Sequence, residues 1–240
     1  MHDSENVEIP VGTLAMKSYF AAPKGASHPA VILLQEIFGV NAEMRRITDL
    51  LAEAGYAALA INYYHRSDPD LDLPYNDEGM KHGMAAASKT SRATYREDIE
   101  AAITWLNERP EVARGRIATW GFCMGGSVAF YSATLPGVKA AVAFYGGSIA
   151  SPFASGEAEA LSDVAAVRAP IFLVYGGKDH YITPEKVART EEALKAAGKA
   201  YELKVYPDQD HGFFRRSSTT FSTPAVADAW SRVQTFLAKV

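Results

Sequence analysis

The stretch that most constrains the fold of this chain is residues 117–129. An apolar run leads into Gly121-Phe122-Cys123-Met124-Gly125, and the residues after it have the pattern of a helix. In a turn this sharp between a strand and a helix, a side chain two residues before or after the tip would clash with the backbone. The segment therefore matches the G-x-S-x-G nucleophile elbow, with cysteine in place of serine.

Cys123 is the single cysteine of the 240-residue chain. At the tip of an elbow, the N–H groups and the positive dipole end of the following helix favour a thiolate. The alternative is the more common one for a free cysteine, a small buried hydrophobic residue. The flanking glycines favour the nucleophile. A single cysteine also excludes an intrachain disulfide and a thiolate-rich metal site.

Composition sets the broad class of the protein. With 48% hydrophobic and 22% charged residues the chain is typical of a soluble globular protein, and a net charge of −4 does not indicate binding to nucleic acid or to an anionic membrane. The sequence shows neither a signal-peptide pattern nor an apolar run of membrane-spanning length. We expect one domain over residues 1–240, in the cytoplasm, as a monomer or small homo-oligomer.

Apolar runs alternate with helical patterns along the chain, which predicts a mainly parallel central sheet with helices on both faces. Predicted strands cover residues 30–34, 57–61, 117–122, 140–145, 171–175 and 201–206; predicted helices cover 42–54, 91–107, 124–135, 184–197 and 225–238. Residues 7–20 predict an antiparallel hairpin at one edge of the sheet. Residues 62–88 are polar and irregular and predict a long functional loop or lid.

A cysteine nucleophile needs a general base, and the base needs a third group that fixes its tautomer. In α/β-hydrolase folds the chain order is nucleophile, acid, base. Only two histidines, His180 and His211, follow Cys123. His211 comes after the last predicted strand, so it is the predicted base. The alternative is that His211 is a surface histidine with no part in the chemistry.

Asp179 follows the predicted strand 171–175 and is the predicted acid, which would hold Nδ1 of His211. An aspartate after two glycines is otherwise a turn or helix-cap residue. Lesser candidates for the acid are Asp163, Asp208 and Asp210.

The predicted oxyanion hole uses two backbone N–H groups. One belongs to Met124, which directly follows the nucleophile, and the other to Ile37 (or Phe38), in the loop after strand 30–34.

Together these residues resemble the dienelactone hydrolase (carboxymethylenebutenolidase) family over nearly the whole chain. The matching segments are Gln35-Glu36-Ile37-Phe38-Gly39-Val40-Asn41, Gly121-Phe122-Cys123-Met124-Gly125-Gly126, Gly176-Gly177-Lys178-Asp179 and His211-Gly212-Phe213. The resemblance implies an α/β-hydrolase fold with a Cys123, Asp179 and His211 triad. A mechanism of this kind requires no metal or organic cofactor.

The resemblance also implies a role for Glu36, which would keep the resting thiol protonated and take its proton when substrate arrives. A nearby carboxylate disfavours thiolate and so protects the sulfur from oxidation. An ordinary loop carboxylate is the alternative.

The family's substrate is an anionic lactone held by arginines, and one of these corresponds to Arg215. Arg216 is an additional candidate, and Tyr64 is a candidate to line the pocket. The second cationic anchor has no assigned position, and the candidates are Arg66, Lys81 and Arg92.

The predicted function is hydrolysis of an activated ester or lactone through a thioester, and the resemblance implies a carboxylate-bearing substrate. One rival is a broad-specificity carboxylesterase or thioesterase on the same scaffold, extending to activated phosphoesters. A second rival, from another class, is a non-catalytic thiol sensor.

Overall fold

The computed structural model describes residues 2–25, 27–218 and 221–239. Its strands are β1 His2–Val11, β2 Leu14–Pro23, β3 His28–Leu34, β4 Ala57–Ile61, β5 Val112–Phe122, β6 Val138–Phe144, β7 Ile171–Gly176 and β8 Tyr201–Tyr206. Its α-helices are α1 Ala42–Glu53, α2 Asp77–Ala87, α3 Arg92–Glu108, α4 Met124–Ser132, α5 Pro184–Ala196 and α6 Thr223–Leu237.

The strands form one eight-stranded sheet in the order β1-β2-β4-β3-β5-β6-β7-β8. The six strands from β3 to β8 are parallel, whereas β2 runs antiparallel to both β1 and β4. The predicted fold class is confirmed. The edge hairpin is longer than predicted, and its strands pair from His2 with Pro23 to Val11 with Leu14.

Helix starts follow the capping residues of the sequence. Asn41 accepts the N–H groups of Glu43 and Met44 at the start of α1, and Ser91 forms a capping box with Thr94 at the start of α3. These caps place both helices within a residue of their predicted starts.

The prediction of an irregular segment over residues 62–88 is wrong in part, because α2 occupies its second half. Asn76 caps this helix by accepting the N–H of Gly79. Two glycines within the helix lowered its apparent helical character. Both are packed tightly in the structure, Gly79 against Pro74 and Gly83 against Ile37.

The order of strands brings the predicted site loops together. From β3 the chain goes to β4 on one side, and the later strands are added from β5 on the other side, so β3 and β5 flank a topological switch point. Leu34 at the end of β3 pairs with Gly121 of β5, one residue before the Gln35 loop and two before Cys123. A crevice beyond the carboxyl ends of strands at such a point is where ligands bind in α/β sheets.

Candidate active site

Cys123 lies at the tip of a strained turn between β5 and α4. Its backbone has φ 54° and ψ −117°, in the positive-φ region that non-glycine residues rarely adopt. An added Cβ on Gly121 would overlap the carbonyl oxygen of Gly125, and one on Gly125 would overlap that of Leu34. Backbone packing therefore explains both glycines of the motif.

The side chain of Asp179 is completely buried and both of its oxygens are used. Oδ1 accepts the N–H groups of Tyr181 and Ile182 at 2.8 and 3.1 Å, and Oδ2 lies 2.8 Å from Nδ1 of His211. Because a carboxylate only accepts, Nδ1 of His211 carries the proton in this contact. Asp179 therefore has both roles that the sequence allowed, because it stabilises its own turn and also binds the imidazole.

The imidazole of His211 also interacts with the thiol of Cys123. Burial opposes the charged ring, but the Cys123 sulfur and the Asp179 carboxylate together raise the pKa of His211 well above its ordinary value. One imidazole therefore interacts with both the sulfur and the carboxylate, and both interactions favour its protonated form.

Two buried aromatic residues hold the loop that carries His211. The ring of Phe214 lies within 5.6 Å of those of Trp120, Phe122 and Phe144, and Phe213 packs on Tyr206 at 5.3 Å. Both phenylalanines are nearly inaccessible to solvent. The hydrophobic core therefore fixes the position of His211.

Two tyrosines that sequence reasoning missed lie against this histidine. The ring centroids of Tyr145 and Tyr181 are 5.0 and 5.3 Å from that of His211. Tyr145 follows β6 with a positive φ of 38° and is buried, whereas Tyr181 is 64% exposed. The position of Tyr145 at the end of a predicted strand was the available signal. Nothing in the sequence around Tyr181 set it apart.

The predicted oxyanion donors are backbone N–H groups of the Gln35 loop and of the first turn of α4. Within the described part of the chain, no hydrogen-bond acceptor is found for the N–H of Ile37, Phe38 or Met124. Met124 is the first residue of α4, where an unsatisfied N–H is expected. The structure thus leaves the Ile37 and Phe38 alternatives both open.

Glu36 and Arg215 form an ion pair between a buried carboxylate and a partly buried guanidinium. The side chain of Glu36 is 2% exposed, and its Oε1 accepts from Nη1 of Arg215 at 3.4 Å. The guanidinium carbon lies 4.2 Å from the ring centroid of Tyr75, a cation–π contact. Burial opposes the charge of Arg215, but the Glu36 carboxylate raises its pKa, so the guanidinium stays charged.

No hydrogen bond joins Glu36 to Cys123 among the residues described, although the resemblance implies contact between them. The carboxylate points to Arg215, and Oε2 is buried without a partner within the same ranges.

The candidates for a second cationic anchor differ in how they are paired. Arg66 donates to Asp98 and Glu97, and Arg92 is paired with Asp163. Lys81 is exposed on α2, and no carboxylate partner for it is found in the described residues. The Arg216 side chain is exposed, and its backbone N–H donates to Glu43.

Other candidates from the sequence lie away from the sulfur or serve another purpose. Asp163 and Asp208 form ion pairs with Arg92 and Lys178, and Asp210 Oδ1 accepts the backbone N–H of His211. His180 is exposed.

Tyr64, the candidate to line the pocket, lies in the interior of the protein. Its side chain is inaccessible, because it lies behind the Gln35 loop with its hydroxyl on the carbonyl oxygen of Ile37.

In the ranges that the structure describes, no group of three or more His, Cys, Asp or Glu side chains could hold a metal ion. None of the helices in those ranges has the length and apolar character needed to cross a bilayer.

The mainly parallel sheet and the elbow at its switch point define an α/β hydrolase. A sequence model of the dienelactone hydrolase family matches residues 16–240, so the chain belongs to that family. It is therefore a carboxylic-ester hydrolase that acts on small-molecule ester or lactone substrates.

Individual relatives agree with this assignment over nearly their whole length. A candidate carboxymethylenebutenolidase from Synechocystis sp. is 34% identical over 230 residues, covering 95% of this chain and 93% of the relative. The carboxymethylenebutenolidase of Pseudomonas putida is 33% identical over 222 residues, covering 90% of this chain and 88% of its own. The crystal structure of a candidate dienelactone hydrolase from Klebsiella pneumoniae has a TM-score of 0.91 and 30% identity, with 100% of both chains covered.

Proposed function

We propose that this protein hydrolyses an activated, carboxylate-bearing ester or lactone through a thioester on Cys123. The observation that carries the proposal is the single imidazole of His211, held at 2.8 Å by Asp179 and interacting with the thiol of Cys123. A nucleophile, a base and an orienting acid in this arrangement are the recurring requirement of covalent acyl transfer.

In the first step the Cys123 thiolate attacks the carbonyl carbon and a C–S bond forms. The developing oxyanion accepts the N–H groups of Met124 and Ile37, and one such donor typically contributes about 3 kcal/mol of transition-state stabilisation. The C–O bond of the ester then breaks, and His211 gives its proton to the leaving enolate or alkoxide. In the second step neutral His211 takes a proton from water, whose oxygen attacks the thioester and releases the acid and the thiolate.

Arg215 is the proposed anchor for the substrate carboxylate, and Glu36 is the proposed gate. A substrate carboxylate that reaches Arg215 competes with Glu36 for the same guanidinium, because the two groups now lie 3.4 Å apart. Glu36 released in this way can take the thiol proton, while His211 stabilises the thiolate. The pairing keeps a buried carboxylate from being left without a cation before substrate binds.

A second candidate function is favoured by the pairing of the candidate arginines with carboxylates. The charge of Arg215 is already matched by Glu36, and Arg66 and Arg92 are engaged with other carboxylates. A site of this kind also suits a neutral ester or thioester. This is the broad-specificity esterase alternative.

The deciding experiment measures kcat/KM for a dienelactone, its methyl ester, neutral aryl esters, a thioester and an aryl phosphoester. Preference for the free dienelactone over its methyl ester supports the carboxylate-binding proposal, and the reverse preference supports the broad esterase. Rapid quenching and mass spectrometry test the intermediate, which should add the acyl mass to the peptide that contains Cys123. Absence of turnover on the whole panel, together with oxidation of Cys123 by peroxide, would support the thiol sensor instead.

A further inference from the structure

The loop that follows β3 is held from behind by the segment between β4 and α3. The carbonyl oxygen of Phe38 accepts the N–H of Leu73 at 3.0 Å, and Gly39 forms an isolated bridge with Asp72. An added Cβ on Gly39 would overlap the carbonyl oxygen of Leu71. This long excursion therefore supports the loop that carries the proposed oxyanion donor.

The carbonyl group of Ile37 is enclosed by two parts of that excursion. The hydroxyl of Tyr64 donates to its oxygen at 3.2 Å. From α2, the backbone of Gly83 approaches so closely that an added Cβ would lie 2.5 Å from the same oxygen and 3.1 Å from its carbon. The peptide that joins Ile37 to Phe38 is thus fixed from two directions.

The hydroxyl of Tyr64 also reaches the other proposed donor residue. It lies 3.9 Å from Sδ of Met124, and the hydroxyl of Tyr95 contacts the same sulfur at 3.6 Å. Burial raises the pKa of Tyr64 well above its ordinary value, so its hydroxyl keeps its proton and stays a donor. One buried hydroxyl thus contacts both residues whose N–H groups form the proposed oxyanion hole.

We infer that Tyr64 is a positioning residue for the oxyanion hole, holding the Ile37 loop in register with the first residue of α4. The inference rests on the proposed acyl-transfer function. Among the described residues, the Tyr64 hydroxyl forms hydrogen bonds with neither Cys123 nor His211. Its bond to the Ile37 carbonyl limits rotation of the backbone at Ile37, the residue whose own N–H is the proposed donor. Donors aimed at a developing oxyanion lose their effect steeply when misplaced, and an error of about 1 Å can cost a hundredfold in rate.

The test compares Tyr64→Phe with Tyr63→Phe. Tyr63 is its neighbour in sequence and 2% exposed, and its hydroxyl has no hydrogen-bond partner among the described residues. Both variants therefore lose one buried hydroxyl, but only Tyr64→Phe loses the bond to Ile37. Each is assayed with 4-nitrophenyl acetate, whose hydrolysis needs an oxyanion hole, and with iodoacetamide, whose alkylation of Cys123 does not.

We expect Tyr64→Phe to lower kcat/KM for the ester by about 10- to 100-fold. Its rate of alkylation by iodoacetamide should stay within twofold of the wild type, and Tyr63→Phe should match the wild type in both assays. Gly83→Ala is a second variant that displaces the same carbonyl by steric contact, and it should show the same selective loss of ester turnover.

Equal ester turnover in Tyr64→Phe and Tyr63→Phe would overturn the inference while leaving the proposed function intact. So would a parallel loss of alkylation, which would indicate general damage to the elbow. Failure of the proposed function has a different signature, since the wild type would then be inactive, or Cys123→Ala active, towards the ester.

Discussion

Asp179 holds His211 through one carboxylate oxygen and its own turn through the other. Oδ2 lies 2.8 Å from Nδ1 of the imidazole, while Oδ1 accepts the N–H groups of Tyr181 and Ile182. The carboxylate cannot rotate without losing hydrogen bonds in a buried site. The imidazole is therefore fixed by a group that is itself fixed by the backbone.

Asp179→Asn should lower kcat by several orders of magnitude, because an amide nitrogen facing Nδ1 selects the wrong tautomer. The corresponding change in a serine triad costs about 10⁴-fold. Asp208→Asn is the control, since that carboxylate pairs with Lys178 at the surface. Steady-state kinetics on the best ester of the panel gives the measurement. Turnover unchanged in Asp179→Asn would assign the acid to another residue.

Cys123→Ala should abolish ester hydrolysis and leave the melting temperature within a few degrees of the wild type. The sulfur is only partly buried, and the contacts that shape the turn are made by the backbone and glycines. Activity is measured on the substrate panel and stability by thermal denaturation. Residual activity near the wild-type level would exclude Cys123 as the nucleophile.

Removal of either partner of His211 should lower the pKa of its imidazole. Both the Cys123 sulfur and the Asp179 carboxylate raise that pKa in the wild type. The ring therefore stays charged at pH values above the ordinary histidine pKa of about 6.5. The folded state then binds the His211 proton more tightly than the unfolded chain does. The raised pKa of His211 therefore contributes its full stabilisation below about pH 6.5, and this contribution is lost as pH rises through the folded-state pKa.

NMR titration of the imidazole in the wild type, Cys123→Ala and Asp179→Asn measures this shift directly. A His211 pKa that is the same in all three proteins would contradict the described interaction.

Arg215→Gln should raise KM for a carboxylate-bearing substrate at least tenfold and change KM for a neutral aryl ester much less. It should also lower the melting temperature, because Glu36 would remain buried without its cation. Arg232→Gln, which breaks a surface pair with Asp228, is the control for loss of an arginine. Equal losses on both substrates would mean that Arg215 acts through the structure of the site and not through a substrate carboxylate.

Gly125→Ala should destabilise the protein, although alanine is the better helix former. An added Cβ would overlap the carbonyl oxygen of Leu34 on the neighbouring strand, and overpacking of this kind costs about 1–3 kcal/mol. That corresponds to roughly 2–12 °C in melting temperature for a chain of this size. Gly147→Ala is the control, because space around Gly147 is open and its φ is not positive. Equal melting temperatures in the two variants would refute the packing argument for the motif.

The parts of the site that the sequence could predict lie at the ends of strongly apolar strands. Cys123, Asp179 and His211 each follow such a run, and chain order then restricted their roles. The helix α2 was missed although Asn76 and the three alanines at its end were visible, because two glycines and a polar surface obscured it. These glycines are explained only by close contacts with residues elsewhere in the chain.

Relations across long sequence separations could not be predicted from residue patterns. Glu36 and Arg215 are 179 positions apart, and Tyr64 and Met124 are 60 apart. No local signal sets Tyr64 apart from Tyr63, yet one hydroxyl contacts the Ile37 carbonyl and the other has no partner in the described residues. The direction of a side chain inside the core depends on packing from several elements at once.

The residues proposed for catalysis stand at the ends of four strands, and the outermost of these, β8, pairs only with β7. Edges of a sheet open more readily than its centre. Opening of β8 would loosen the loop that carries the base, although Phe213 and Phe214 anchor that loop in the core. We therefore expect the midpoint of inactivation to lie below the midpoint of global unfolding.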